Sequence, residues 1–281
     1  MTAPLAAAMR EHSDRRATLC VTFDNMGRAQ EVGAGMASLP DAAEPSLAKG
    51  YERILTMLEQ LGLKATFFIE GWNCLHHAAR IQELVARGHE VGLHGWIHET
   101  FHRLDARTVE QLLSDGRAAM QLIGIPTRLF RAPGGIRGAH TQPALERLGF
   151  TGDSSVEYGL EHEQQAGDSY AVGQPHLLSG RLATVPWRWD AIDYIHYRIL
   201  DRNEGAPDRL RSRWTKSLDL AEAHGTTLTI IAHAFISGVD DARLLALADF
   251  LDDARRRPSV RCETVGTITE RLLSKTDEVI G

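Results

Sequence analysis

Cysteine is scarce in this 281-residue chain, and Cys20, Cys74 and Cys262 form an odd, widely spaced set. They cannot build a disulfide framework and read as reduced core thiols. No apolar run approaches the roughly 20 residues that a membrane span requires, so a soluble protein is expected. Residues 1–17 hold one short apolar stretch, Pro4 to Met9, with no basic segment before it and Arg10, Glu11, Asp14, Arg15 and Arg16 directly after. That is a poor secretion signal, and a cytoplasmic location follows as the expectation. Positive charge is not in excess either: 31 Lys+Arg against 37 Asp+Glu leave −6. With no basic stripe, neither nucleic acid nor a membrane surface is expected as a partner. Repeats, low-complexity tracts and linkers are missing too, which leaves a short arm over residues 1–17 and one domain over 18–281. What is present, 43% apolar and 24% charged residues, suits a folded chain with a sizeable core.

Seven β-rich runs (18–23, 65–69, 90–93, 127–130, 182–187, 227–232 and 260–265) alternate with segments of helical period (45–61, 75–86, 108–123, 142–148, 207–223 and 241–256). Glycine marks many of the helix ends, at Gly62, Gly88, Gly124, Gly149 and Gly225. Strand then helix, repeated about seven times, predicts parallel strands with helices packed outside. Periodicity alone does not separate an α/β barrel from a doubly wound sheet. Position does, because the reactive residues Asp24, His94, Arg131 and His233 each close a strand-like run. A barrel gathers all such ends at one mouth, so a barrel of about seven strands is the expectation. Residues 25–44 and 151–181 read as long loops over that mouth.

His94 and His98 are the strongest chemical signal. Imidazoles four apart on one face of a helical turn can reach one divalent cation. A catalytic metal needs about three protein ligands, and the end of the first strand, Asp24-Asn25, offers the third. Arg131, before Pro133, Gly134 and Gly135, presents a permanent cation that can hold a carboxylate in one orientation. His233 ends an apolar run, and Asp190 or Asp193 can orient its ring. Trp72, Trp96, Trp187, Trp189 and Tyr194 could line a stacking wall.

Together these residues resemble the polysaccharide deacetylase family, also known as the NodB-homology or carbohydrate esterase family 4 proteins. The family's first motif, of Thr-Phe-Asp-Asp-Gly type, is matched by Thr22-Phe23-Asp24-Asn25-Met26-Gly27. His94 and His98 answer the second, Arg131-Ala132-Pro133-Gly134-Gly135 the third, Asp190-Ala191-Ile192-Asp193-Tyr194 the fourth, and Ile230-Ile231-Ala232-His233 the fifth. The resemblance implies a distorted (β/α) barrel and metal-assisted hydrolysis of an amide, typically an N-acetyl group on an amino sugar. It implies Asp24 as general base, His233 as general acid, Arg131 orienting the base and Asp193 tuning the acid. His94, His98 and Asn25 would hold a divalent metal, zinc first, with cobalt, nickel or manganese as alternatives. Trp96, Pro133, Gly134, Trp187 and Tyr194 would contact substrate. Asn25 departs from the pattern, because the family most often has a metal-binding Asp there.

The leading expectation is therefore a C–N hydrolase acting on a small or sugar-derived N-acyl amine, with Asp24 and His233 brought in from distant strands. Ring opening of a cyclic ureide or imide, as in allantoinase-like proteins, is a second. A ligand-binding pseudoenzyme, marked by Asn25, is a third. Oligomeric state stays open, a homo-oligomer included.

Overall fold

The computed structural model describes residues 17–37, 41–161, 174–200 and 205–280. The expected N-terminal arm lies outside them apart from Ala17, as do residues 38–40 and 162–173 of the two expected loops. β1, Ala17–Asp24, has all eight side chains buried. A strand covered on both faces reads as a nearly unbroken apolar run, which marks a parallel sheet under helices.

Eight more strands follow: β2 (Thr66–Ile69), β3 (Glu90–Leu93), β4 (Leu129–Phe130), β5 (Gly152–Asp153), β6 (His176–Leu177), β7 (Ala183–Thr184), β8 (Thr227–His233) and β9 (Val260–Cys262). They form one sheet in the order β6-β7-β5-β4-β3-β2-β1-β8, with β9 also on β1. Among the described residues only the β6–β7 pair is antiparallel. β8 runs along β1 from Thr18 to Asp24, while the other edge of β1 is shared by β2 near its end and β9 at its start. The curled sheet is drawn back on itself at an isolated bridge between Ile192 and Ile231. This is the barrel expected from the reactive residues at the strand ends, distorted as the family resemblance implies. The expected seven strands become nine because β5 and β6 lie inside residues 151–181, which read as a loop of little apolar period.

The longer helices are α1 (Tyr51–Leu61), α2 (Ala78–Ala86), α3 (Ala106–Leu122), α4 (Thr141–Arg147), α5 (Pro207–His224), α6 (Asp241–Arg256) and α7 (Val265–Ile280). Each of the first six falls on a segment of helical period. α1 shows the logic: Tyr51, Ile54, Leu55 and Leu58 recur on one stripe and are fully buried, each such burial contributing about 1.5–3 kcal/mol. α7 departs from expectation, since the β-rich run was predicted to last to Val265. The strand stops at Cys262, and the helix is started across space by Glu90, whose Oε2 accepts from Gly266 N at 2.9 Å. A cap that lies 176 residues away in sequence leaves no local trace. Cys20, Cys74 and Cys262 are free thiols, the first two buried and the third half-buried. Among the described residues no helix is long and apolar enough to cross a membrane.

Candidate active site

The C-terminal strand ends meet at one mouth, and a cavity of about 210 Å³ opens there. Asp24, Asn25, His94, His98 and His233 all line it. Asp24 closes β1 with its side chain turned to Arg131, which follows β4. Arg131 Nη1 donates to Asp24 Oδ1 at 2.6 Å and to Thr22 Oγ1 at 2.8 Å. Nη2 donates to Ser154 Oγ at 2.7 Å and Nε to Ser154 O at 2.9 Å. The guanidinium also stacks over Phe68, 4.2 Å from the ring centre, and is wholly buried. Burial pushes the Asp24 carboxyl up, but the Arg131 charge, His94, His233 and the Arg131 hydrogen bond outweigh it and hold the carboxyl below its ordinary range.

His94 follows β3, and His98 lies four residues on. The expected helical turn is absent: the segment between them is a turn in which Gly95 has φ 70° and His98 φ 75°. A Cβ at Gly95 would lie 2.8 Å from Pro133 Cγ, so glycine is required there. Glu99 ties the turn down by accepting from Trp96 N and Ile97 N, both at 3.0 Å. The left-handed turn brings the imidazoles together in place of helical spacing, with ring centres 5.2 Å apart and planes at 72°. His94 Nδ1 lies 3.0 Å from Arg131 O. A carbonyl only accepts, so Nδ1 carries the hydrogen and Nε2 keeps its lone pair. Burial pushes His94 down to about 4 and His98 to about 3, which leaves both rings neutral at pH 7.

His233 ends β8 and is the register partner of Asp24 on β1. The two are therefore neighbours across adjacent strands, where distant strands had been expected; the sheet joins what the sequence keeps far apart. His233 Nδ1 is 2.6 Å from Asp193 Oδ1, and His233 N and Ser237 Oγ donate to Asp193 Oδ2 at 2.9 and 2.6 Å. Burial opposes protonation of the ring, yet the Asp193 charge and hydrogen bond prevail and His233 is raised above its ordinary value. Asp190, the other carboxylate offered by the fourth motif, bonds Arg188 at 3.2 Å.

No group of three or more His, Cys, Asp or Glu gathers to hold an ion among the described residues. The reason is visible: Asp24 is committed to Arg131, and the next residue is an amide. The donors nevertheless suit a divalent cation. Two neutral imidazoles, one with its tautomer fixed by a carbonyl, stand beside the Asn25 carboxamide in one cavity, and three protein donors with room for water form the usual catalytic shell. Asn25 Nδ2 donates to Glu70 Oε1 at 2.8 Å. Glu70, just past β2, is fully buried, and burial pushes it up to about 8. Sequence reasoning passed over it, although an acidic residue closing an apolar run was the same cue that singled out Asp24.

The cavity walls are mainly apolar: Trp187, Trp189, Ile192, Ile195 and Phe235 line it beside Gly134, Gly135 and Tyr194. Gly135, at φ 86°, has no room for a Cβ, which would sit 2.5 Å from the Trp187 ring. Trp187 Nε1 donates to Ser154 O at 2.8 Å, so Ser154 serves both Arg131 and the wall. Of the expected substrate contacts, Gly134, Trp187 and Tyr194 face the cavity. Trp96 and Pro133 do not: Trp96 packs near Gly71, and Pro133 supports Gly95. Trp72 lies against His76, with ring centres 4.1 Å apart and planes inclined at 43°.

Residues 12–152 match the family model of the polysaccharide deacetylases. The peptidoglycan deacetylase-like protein FGM2 of Gibberella zeae is 33% identical over 110 residues, 38% of this chain and 32% of its own length; the match thus spans about a third of that curated relative. Among solved structures, a protein of Mycobacterium smegmatis assigned as a polysaccharide deacetylase superposes with a TM-score of 0.77 at 22% identity, covering 93% of this chain and 92% of that one. Puue allantoinase superposes with a TM-score of 0.74 at 18% identity and the same coverage, 93% and 92%. At such identities the structural likeness speaks for the fold.

Proposed function

Because this chain belongs to the polysaccharide deacetylase family, we propose that it hydrolyses the C–N bond of an N-acylated amine, an amino sugar or a related small molecule. A divalent cation, zinc first, would be held by His94, His98 and Asn25. The observation that carries this reading is that one cavity holds a carboxyl whose ionised form Arg131 favours and an imidazole whose protonated form Asp193 favours. Those are the two titration states that amide hydrolysis needs at the start.

A bound cation would polarise the acyl carbonyl and acidify a water molecule. Asp24 accepts the proton of the attacking water on Oδ2, since Oδ1 is engaged by Arg131. His233 delivers its proton from Nε2 to the amine nitrogen as the C–N bond breaks, and Asp193 on Nδ1 stabilises the imidazolium until then. The acyl carbon keeps the water oxygen, and the amine leaves neutral. Arg131 does two things at once: its side chain aims the base and its carbonyl aims His94.

The small, half-enclosed and mainly apolar cavity supports a second reading, ring opening of a cyclic ureide or imide. Against the third reading, a pseudoenzyme, stand the two charge pairs that face one cavity, Asp24 with Arg131 and His233 with Asp193. The test is product release by zinc-loaded protein against N-acetyl amino sugars, free and nucleotide-linked, and against cyclic ureides. Acetate release from the first group is expected. Turnover of ureides alone selects the second reading, and no turnover of either group refutes both.

A further inference from the structure

Nearly every polar atom of Asn25 is engaged within the protein. Its N–H donates to Phe68 O at 3.2 Å, its carbonyl accepts from Tyr51 Oη at 2.5 Å, and Nδ2 donates to Glu70 at 2.8 Å. The backbone is held at φ 64°, and among the described residues Asn25 and His98 are the non-glycine positions with positive φ. Both line the cavity. Such conformations cost free energy and persist where the surroundings over-determine them. With Nδ2 turned to Glu70, Oδ1 is the remaining end of a planar amide on a cavity-lining residue.

Glu70 itself accepts from neutral donors: Asn25 Nδ2, Met26 N at 3.1 Å and Asn73 Nδ2 at 2.8 Å. Among the described residues no arginine or lysine hydrogen-bonds to it, and it lies wholly out of solvent. A carboxyl group buried this way is costly to ionise. Replacing it by an apolar side chain would leave Asn25 Nδ2 without its acceptor and the amide free to turn over.

We propose that Glu70 is the positioning residue of the metal centre: by accepting from Nδ2 it fixes which face of the Asn25 amide meets the cavity, so that a neutral oxygen serves as third ligand. The inference rests on the metal-site reading above.

Zinc titration of the metal-free protein at pH 7, by competition with a chelating dye, tests this, with folding followed by circular dichroism. Glu70→Leu, which removes the acceptor of Nδ2, should weaken zinc binding by about 10 to 100-fold while the fold persists, and Glu70→Gln, whose side-chain carbonyl can still accept from Nδ2, should keep most of the affinity. Asn25→Ala should weaken binding as much as Glu70→Leu, and the two together should lose little more. That non-additivity, with rescue by the glutamine variant, is a result that a merely structural Glu70 would not produce. Should Glu70→Leu fail to fold, Glu70→Met, also without a side-chain oxygen, takes its place. Wild-type affinity in the folded Leu or Met variant, or full additivity with Asn25→Ala, overturns the role of Glu70 while leaving the site intact. Unchanged zinc binding after His94→Ala with His98→Ala overturns the site and the proposal with it.

Discussion

Replacing Arg131 by Met removes the cation paired with Asp24 while roughly keeping the volume of the side chain. At the observed 2.6 Å contact and an effective dielectric constant near 20, the charge pair is worth about 6 kcal/mol before desolvation is counted. Desolvation offsets much of that, so the net value of the pair is small. Breaking it from one side is not, because an uncompensated buried charge remains, and about 3–5 kcal/mol of stability should be lost. The polar groups of Ser154 and Thr22 lose their partner as well. Removing both charges, as Arg131→Met with Asp24→Asn, should cost less than the sum of the single changes by about 1–3 kcal/mol. Urea unfolding of the metal-free protein at pH 7 and pH 5 reads both quantities. The pH sign is fixed. In the wild type the Asp24 pKa is depressed, so its contribution is present above the unfolded value of 3.8 and lost as pH falls through the folded one. Without Arg131, burial dominates and raises the pKa, so acidification stabilises the folded variant by neutralising the carboxylate. The deficit should therefore be smaller at pH 5 than at pH 7. A loss under about 1 kcal/mol, or strict additivity in the double variant, would refute the coupling of these two side chains.

Three further outcomes follow from the same geometry. Purified protein should carry about one equivalent of a divalent transition ion, and His94→Ala with His98→Ala should abolish it; unchanged metal content removes both from the shell. The kcat/KM profile should be bell-shaped, its alkaline limb set by His233 above the ordinary 6.5. Asp193→Asn should move that limb to lower pH, and Asp24→Asn or His233→Ala should each lower kcat by about 10² to 10⁴-fold; an unmoved limb separates Asp193 from the acid. Acid sensitivity of the metal-free protein should begin below pH 6.5. Burial withholds protons from His89 and His94 down to about 4 and from His98 to about 3, so the stability they confer is present above 6.5 and lost as pH falls towards those values. The first two are each worth roughly 3 kcal/mol, and unfolding free energy that stays flat from pH 7 to pH 5 contradicts this.

Strand ends were legible in the sequence because buried parallel strands write apolar runs, and Asp24, His94, Arg131 and His233 could be seen to close them. The manner of assembly was not. His94 and His98 share a face through left-handed backbone at Gly95 and His98, which spacing cannot distinguish from a helical turn. Asp190 and Asp193 are equivalent in a motif, and only β8 packing selects Asp193. Ser154 follows a two-residue strand inside an expected loop, so nothing local announced that it would hold Arg131 and Trp187. Glu70 and Glu90 act on partners reached only through the sheet.

The register of β1 against β8 places Asp24 opposite His233, and hydrogen-bonded strands sit about 4.8 Å apart. Under the proposed roles, the backbones that carry the proton acceptor and the proton donor are thus held one strand spacing apart, a dimension that loops cannot stretch. A slip of one residue would turn one of the two groups to the opposite face, so intermediate spacings do not exist for evolution to sample. Selection for a new substrate has to work on the rest of the enclosure. Ile195, Ile199 and Phe235 stand outside the strands and line the cavity, and it is there that the enclosure can be reshaped while the two strand ends keep their places.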